Sequence, residues 1–543
     1  MCSGHLAAGP KRGKNRGLML KRIITMAVTG ALAGAFLTSC GSSTTKPPAE
    51  TGSLISLVGD TPGLCDAVSF PFDITDLSLV GYSPTGAGTG TTPINPTTVS
   101  APDIRINLTC LRDFTTVLNI SPAKVGTYDV AFLTLSEPEL IFYDPTILPP
   151  SPPTNTALLT VNPLKNIQVP VSPPLVINKG YASVIQIDLD MLHMIESITT
   201  DPTTGRLVVT GTPEITITPL QASGSQGQGF GALDDLVGFV RSVTILPPGS
   251  TSLYRGSLNL QLLSASISGP PLATVNLSGS SQLYGFSNLN QVVTDDFMEV
   301  DAYIDVDGNL VANSVEDEYT ENVTAALVGT APPTLALIGP VTSVARDSSG
   351  NVTSFNLWAR DVEPNDPAAV TLDSIPVVNV SSSTIYQYSS RSANFANLPF
   401  GPNNITVGQE VIVHGQVTTP TGASGSGAPA LPTTVAAAKV YDKLQSILGS
   451  FNSLVQVASD DKTGAFVFTP CSTIFQRVPT MVLTSSQTTF VNGSGLSSLS
   501  GHGTAPNLTV KGLPFFEQQA QTINGVPVPA GTLVILAKQV HQL

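Results

Sequence analysis

Apolar and polar residues alternate in short stretches from about residue 52 to the C-terminus. Clear examples are residues 73–80, 104–110 and 257–263, which read DITDLSLV, IRINLTC and SLNLQLL. A period of two residues is typical of strands that bury one face. The stretches are separated by Gly, Pro and Asn, which favour turns. The pattern therefore predicts an all-β fold made of many short strands.

The first group of strands occupies residues 52–220 and predicts an N-terminal β-sandwich. Residues 221–230 follow, and their Gly, Ser and Gln content is typical of a flexible linker. We therefore place a domain boundary at this linker.

The rest of the chain contains a threefold internal repeat. Each unit opens on a similar segment, VGFVRSV, IGPVTSV or LGSFNSL, whose glycines are Gly238, Gly339 and Gly449. Each opening is followed by apolar strands in the same order, and such self-similarity indicates repeated structural units. Residues 436–451 alone have the composition of a helix, but the repeat favours two strands there. The prediction is three small β-barrel-like repeats, with bounds 231–329, 330–440 and 441–543.

Part of the first domain resembles a bacterial lipoprotein module catalogued as domain of unknown function 4382. The resemblance rests on residues 57–68 (LVGDTPGLCDAV), 106–111 (INLTCL), 124–133 (KVGTYDVAFL) and 178–190 (NKGYASVIQIDLD). It implies an exported all-β sandwich with no established activity.

The three repeats resemble a second bacterial family, catalogued as domain of unknown function 5666. The resemblance rests on the glycine-containing openings, on residues 405–417 (ITVGQEVIVHGQV) and on residues 435–440 (VAAAKV). It implies small β-barrels akin to oligomer-binding barrels, again without a defined reaction.

The N-terminus has the order of an export signal: six basic residues, then an apolar run over residues 23–37, then small residues. The run ends in Leu-Thr-Ser-Cys40, which resembles the bacterial lipobox. This resemblance implies a signal peptide over residues 1–39 and acylation of Cys40, for example with palmitate. Residues 40–51 would form a polar tether to the outer membrane. An ordinary signal peptide is the alternative, and a membrane-spanning helix needs a longer run of about 20 residues.

The charge balance limits the class of partner. The chain has 24 basic and 38 acidic residues. Six of the basic residues and none of the acidic ones precede Cys40, so the processed chain carries a net charge of −20. An acidic protein repels phosphate backbones, so nucleic acid is excluded as the expected partner. The expected partners are the membrane, through the acyl group, and an envelope polysaccharide or protein.

Three cysteines remain after Cys2 and Cys40 are assigned to the signal and the acylation site. A disulfide can persist outside the cytoplasm. Cys65 and Cys110 are the pair within one predicted domain, so they are the predicted disulfide. Cys471 is then left over, and we interpret it as a buried structural cysteine.

Residues 305–309 (DVDGN) have the alternating oxygen ligands of a calcium loop. Asp305, Asp307 and Asn309 would be the ligands, and Glu316 occupies the twelfth position. The flanking residues are strand-like, however, and an Asp-Gly-Asn hairpin turn explains the motif as well. A weak calcium site and a simple turn both remain open.

Aromatic residues offer one further candidate site. Trp358, the single tryptophan, could form a sugar-stacking platform with Tyr386, or it could pack in a core. No catalytic constellation is evident, because the four histidines that follow Cys40 are scattered and no GxSxG motif occurs. The first hypothesis is a non-catalytic, lipid-anchored binding or structural module. The alternatives are a carbohydrate-processing enzyme with acids at a domain cleft and a calcium-stabilised adhesin.

Overall fold

A computed structural model describes most of the chain from Thr51 to Leu543. The gaps in this description are residues 61–64, 66, 85–90, 100–103, 111–114, 137, 144–153, 204–206, 223–228, 248, 263–271, 320–334, 364–369, 372–373, 389–397, 399, 419–432, 476–477 and 500–506. The predicted signal peptide, Cys40 and nearly all of the tether lie outside the described residues. Among the described residues, no helix is long and apolar enough to cross a membrane.

The N-terminal module is built almost entirely of strands. Among its described residues, one α-helical turn, α1 (Met191–Met194), is capped by the Asp190 side chain. The strands are β1 (Thr51–Asp60), β2 (Ala67–Ser69), β3 (Pro71–Pro84), β4 (Thr91–Val99), β5 (Ile104–Asn107), β6 (Thr115–Lys124), β7 (Gly126–Ser136), β8 (Leu140–Tyr143), β9 (Thr154–Val161), β10 (Ile167–Ile177), β11 (Ala182–Leu189), β12 (Ile195–Thr200), β13 (Leu207–Gly211) and β14 (Ile215–Leu220).

Two sheets of this module enclose one core. Of the described strands, nine form a sheet in the order β4-β3-β7-β10-β14-β11-β1-β6, with β5 also paired to β3. Five form a second sheet in the order β12-β13-β9-β8-β2. Leu77 and Tyr128 of the larger sheet pack in the same buried cluster as Leu140 and Val209 of the smaller one. The predicted β-sandwich is therefore confirmed.

The second half of the chain contains the following strands. The first barrel has β15 (Gly231–Ile245), β16 (Tyr254–Leu262), β17 (Leu272–Tyr284), β18 (Phe297–Ile304) and β19 (Leu310–Tyr319). The second has β20 (Leu335–Arg346), β21 (Val352–Leu357), β22 (Asp361–Glu363), β23 (Val377–Asn379), β24 (Ile385–Tyr388), β25 (Glu410–Thr418) and β26 (Thr434–Asp442). The third has β27 (Gln445–Val457), β28 (Gly464–Pro470), β29 (Thr480–Thr484), β30 (Thr489–Val491), β31 (Leu508–Glu517), β32 (Gln521–Ile523), β33 (Val526–Val528) and β34 (Thr532–Gln542). Short 3₁₀ turns lie at Leu108–Cys110, Leu289–Gln291, Pro402–Asn404 and Leu496–Leu499.

All three units close by the same strand pairing. The closed orders are β15-β16-β17-β19-β18, β20-β21-β23-β26-β25 and β27-β28-β29-β34-β31. In each barrel, one pair of neighbouring strands runs parallel: β17 with β19, β23 with β26, and β29 with β34. These are the third and the last of the five strands along the chain. The other pairs of the closed order run antiparallel. A bulge also recurs between the last two of the five strands along the chain, β18–β19, β25–β26 and β31–β34. It lies next to the pairs Ala302/Ala312, Gly415/Ala437 and Gly512/Ala537. The repeat seen in the sequence is thus a repeat of topology.

The repeated glycines have a packing role. A Cβ atom on Gly339 would lie 1.7 Å from the carbonyl oxygen of Trp358, the residue that follows β21. Equivalent atoms on Gly238 and Gly449 would lie 2.4 and 2.3 Å from the carbonyl oxygens of Gln261 and Thr469. Real Cβ atoms do not approach an oxygen so closely, so only glycine lets the first strand pass this near to the second.

The last two barrels are joined almost directly. Only Lys443 and Leu444 separate β26 from β27. The strand prediction for residues 436–451 is therefore confirmed over the helical alternative. The predicted boundary between residues 440 and 441 was wrong by a few residues, because β26 continues to Asp442.

We expect Gly339→Ala to destabilise the protein by about 1–3 kcal/mol, because the added methyl group must push β20 away from the chain after β21. Equilibrium denaturation measures this change. The matched control is Gly279→Ala in β17, where an added Cβ meets no atom within 4 Å. The control should be neutral or slightly stabilising, and equal losses in both variants would contradict this role of Gly339.

Candidate functional site

A disulfide joins the first and last modules of the chain. It links Cys65, just before β2, to Cys471, just after β28, across a sequence separation of 406 residues. The predicted bond between Cys65 and Cys110 was therefore wrong. The prediction assumed that each domain folds around its own cysteines, whereas the sandwich and the third barrel are neighbours in space.

A small cleft lies beside this disulfide. Residues of the sandwich, the second barrel and the third barrel line it, including Thr109, Arg360, Glu410 and Lys443. Its cavity volume is about 60 Å³. Pockets for organic ligands usually measure about 300–1,000 Å³, so this space suits a few water molecules rather than a sugar ring.

The polar groups around the cleft connect the modules. The buried Arg360 side chain forms an ion pair with Glu410 at the start of β25. Its Nη1 also donates to Oγ1 of Thr109 in the sandwich at 2.8 Å. The Gln445 side chain accepts from the Glu410 backbone N–H at 2.6 Å and donates to the Gly408 carbonyl at 3.2 Å. Sandwich, second barrel and third barrel therefore meet through one hydrogen-bonded network.

A second polar cluster lies between the barrels, and we call it the interbarrel cluster. Alternation along each strand places its members on the outer surface of their own barrel, yet most of them are buried. Its members are Glu299, Asp301 and Glu316 of the first barrel, His414, Lys439 and Tyr441 of the second, and Lys511 and Lys538 of the third.

Direct contacts within the interbarrel cluster cross from one barrel to another. Lys538 Nζ lies 3.3 Å from Asp301 Oδ2, and Tyr441 Oη donates to Glu299 Oε2 at 3.5 Å. The Tyr441 ring also belongs to an apolar contact between the first two barrels, with Phe297 and Ile412 among its members. Acidic groups of the first barrel thus face basic and hydroxyl groups of the other two.

His414 is a neutral part of this cluster. Burial lowers the pKa of His414 to about 3, and the charge of Lys439 acts in the same direction. Its ring contacts Phe297 edge-on, with ring centroids 5.2 Å apart. A histidine that stays neutral across the physiological range cannot act there as a proton shuttle.

Asp442 is a buried carboxyl group with a strongly raised pKa. Burial raises the pKa of Asp442 well above its ordinary value, and a hydrogen bond of 3.0 Å from Gln409 Nε2 only partly opposes this. Such a shift often marks a catalytic acid. The cavity that Asp442 lines has a volume of about 10 Å³ and is otherwise walled by apolar residues such as Phe515, so it holds about one water molecule and no substrate.

The DVDGN motif forms a hairpin turn between β18 and β19. Asp305 Oδ1 accepts from the backbone N–H of Asp307 at 2.9 Å and of Asn309 at 2.8 Å. Its Oδ2 accepts from Tyr254 Oη at 2.7 Å. Gly308 has a φ of +82° and packs against Ala182 of the sandwich. The motif therefore builds a turn that docks on the sandwich.

The hydrogen bonds to Asp305 determine its ionisation. Burial raises its pKa, but the donors from Asn309, Tyr254 and Asp307 outweigh burial and leave the pKa below its ordinary value. Within the part of the chain that the structure describes, no group of three or more His, Cys, Asp or Glu side chains could hold a metal ion. The turn interpretation thus accounts for this motif without calcium.

The predicted stacking pair is not a platform. Trp358 is only 5% exposed and packs in the core cluster of the third barrel, with Tyr143 of the sandwich. Tyr386 packs against the core of the second barrel and contacts Phe400, with ring centroids 6.0 Å apart. Of the two alternatives for Trp358, core packing is therefore the one that the structure supports, and the stacking alternative was wrong.

The sequence analysis missed the interbarrel cluster, although a signal for it was present. Asp301, His414 and Lys511 occupy the same position on β18, β25 and β31, directly before the register shift that the bulge causes. An alignment of the three repeats would have placed an acid, a histidine and a lysine at one position. Cys40, the predicted acylation site, lies outside the described residues.

Comparisons of this chain with protein-family models, with curated proteins and with solved structures give no significant match. The site must therefore be interpreted from its geometry.

We expect peptide mapping under non-reducing conditions to recover a Cys65–Cys471 linkage. Replacing both cysteines by serine should destabilise the protein by about 2–5 kcal/mol, since a crosslink over so long a loop restricts the unfolded chain. Cys110→Ser is the control and should leave the linkage and the stability in place. A Cys65–Cys110 peptide would contradict the structure.

The hairpin-turn and calcium-loop interpretations of the DVDGN motif predict that different substitutions lower the stability of the protein. We expect Asp305→Ala to cost about 1–3 kcal/mol at pH 7, because three donors, two of them half-buried, lose their acceptor, and Asp307→Ala to stay within about 0.5 kcal/mol. The Asp305 contribution is complete at neutral pH, because its folded-state pKa is lowered, and it disappears only as the pH falls through that value. Thermal melting with and without millimolar calcium is the measurement. A melting temperature that rises with calcium, and is lost in both variants, would establish a calcium loop instead.

Proposed function

We propose that this chain is a lipid-anchored protein of the bacterial cell envelope that acts as a non-catalytic binding or structural module. The lipobox-like sequence ending at Cys40 supports attachment to a membrane, with the outer membrane as the proposed site. The proposed partners are that membrane and an envelope polysaccharide or protein.

One structural observation supports the non-catalytic part of the proposal. Several polar and reactive side chains connect modules to one another: the Cys65–Cys471 disulfide, the Arg360–Thr109 hydrogen bond and the Asp301–Lys538 pair. Each of these groups is paired with a partner in another module, which suits a rigid body better than a reaction centre. The two cavities described above are also far smaller than an oligosaccharide subsite.

Mass spectrometry of the protein isolated from membranes tests the anchor. We expect the N-terminal peptide to begin at an acylated Cys40. Cys40→Ser should prevent acylation and release the protein from the membrane fraction. An unmodified chain that begins elsewhere would refute the anchor.

The non-catalytic role is tested by incubating the full protein with a panel of envelope polysaccharides. We expect retention of a polysaccharide or of a crosslinked envelope protein, with no new reducing ends. The matched variant is Asp442→Asn, which removes the carboxyl group with the raised pKa but keeps its shape. Release of reducing ends by the parent protein, abolished in Asp442→Asn, would favour the carbohydrate-processing enzyme.

A further inference from the structure

A buried carboxyl group lies at the short connection between the second and third barrels. Lys443 and Leu444 separate β26 from β27, and we call these two residues the hinge. Asp442, the residue before the hinge, is only 1% exposed. The small cavity that it lines is walled by Phe400 of the second barrel and Phe515 of the third. The carboxyl group is therefore enclosed where the two barrels meet.

Gln409 connects this carboxyl group to the third barrel. Its Nε2 donates to Asp442 Oδ1 at 3.0 Å and to the carbonyl oxygen of Pro514, in β31, at 2.7 Å. Its Oε1 accepts from the backbone N–H of Thr406 at 3.2 Å. Because both kinds of amide atom have partners, the Gln409 side chain is fixed in one orientation. It bridges the end of β26 and a strand of the neighbouring barrel.

Tyr388 is the one other titratable group among the described residues that line this cavity. It lies opposite Asp442 in the pairing of β24 with β26, and its Oη accepts from the backbone N–H of Leu398 at 3.1 Å. Burial raises the pKa of Tyr388, so its hydroxyl group stays neutral where a carboxyl group titrates. The described lining of the cavity thus offers Asp442 no cation.

The charged groups on the adjoining elements have other surroundings. Glu410 of β25 forms the ion pair with Arg360, and Lys443 of the hinge lines the cleft beside the disulfide. Burial is accordingly the largest influence on the pKa of Asp442, which it raises. The remaining titratable groups of β24, β25, β26, β31 and β34 are Tyr386, His414, Lys439, Tyr441, Lys511, Glu517, Lys538 and His541.

We propose that Asp442 is a pH-sensitive switch between the second and third barrels: its protonated form keeps them packed, and its ionisation loosens the junction. A carboxylate enclosed by apolar side chains loses its hydration, and the one hydrogen bond from Gln409 offsets only part of this loss. Loosening the junction admits water to the carboxylate. The disulfide at Cys471 keeps the third barrel attached to the sandwich, so the barrels move about the hinge without separating completely.

The raised pKa of Asp442 determines the direction of the pH dependence. The packed junction binds the proton more tightly than the loosened one, so packing is most favourable below the ordinary carboxyl pKa of about 4. As the pH rises from there to the raised pKa, the equilibrium constant for packing falls by up to about tenfold per pH unit. Above the raised pKa, this contribution no longer changes.

Thermal melting of the full-length protein at about pH 5 and about pH 8 tests the linkage. Asp442→Asn has a neutral side chain of the same shape at both pH values. We expect this variant to melt at a higher temperature than the parent at the higher pH, and by a smaller margin at the lower pH. Ionisations elsewhere in the protein cancel in this comparison.

The matched control is Asp460→Asn, in the turn between β27 and β28. Hydrogen bonds from Thr463 lower the pKa of Asp460, so this group is ionised at both pH values. The difference in melting temperature between Asp460→Asn and the parent should therefore be the same at both.

Trp358 reports directly on the junction. It follows β21 of the second barrel, packs in the core cluster of the third and is the single tryptophan of the chain. Under native conditions, quenching of its fluorescence by acrylamide should rise with pH in the parent and stay constant in Asp442→Asn. Quenching that does not change with pH in the parent would overturn the inference. A melting margin of Asp442→Asn that is equal at both pH values would overturn it as well.

Discussion

Burial of charged side chains between barrels of the same topology is the constraint on which the second half of this structure depends. A repeat that presented the same charge at the same position in every copy would bring like charges together when the copies packed. Here the first barrel presents Glu299, Asp301 and Glu316, whereas the others present Lys439, Lys511 and Lys538. Opposite charges meet where the barrels pack, as in the Asp301–Lys538 pair, so the differences among repeats favour one arrangement of the barrels.

A few specific contacts also join the sandwich to the barrels. The Cys65–Cys471 bond and the Arg360 side chain connect the beginning of the chain to its middle and end. The hairpin that contains Gly308 packs on the sandwich from the first barrel. Modules that resemble independent domains in sequence therefore form one unit, and residues 50–543 are compact as a whole. The disulfide and the buried Arg360 side chain both lie where modules contact one another.

This arrangement explains why sequence motifs were unreliable guides to ligand sites. Asp305 has the spacing of a calcium ligand, but its oxygens accept hydrogen bonds from the turn that it stabilises. Trp358 has the character of a sugar-stacking residue, but a neighbouring barrel covers it. In both cases the local pattern fits two uses of one residue type. Hydrogen bonds within the first barrel decide the use of Asp305, and the packing of another module decides that of Trp358.

The sequence by itself determined the strands, the sandwich and the three barrels, because a period of two and a repeated glycine act within a few residues of chain. It also provides the lipobox-like segment on which the proposed location rests. Only the tertiary structure decided that Cys65 bonds to Cys471, that His414 is buried and neutral, and that Arg360 reaches Thr109. These features depend on which surfaces of separate modules meet, and surfaces far apart in the chain carry no local signal of their contact.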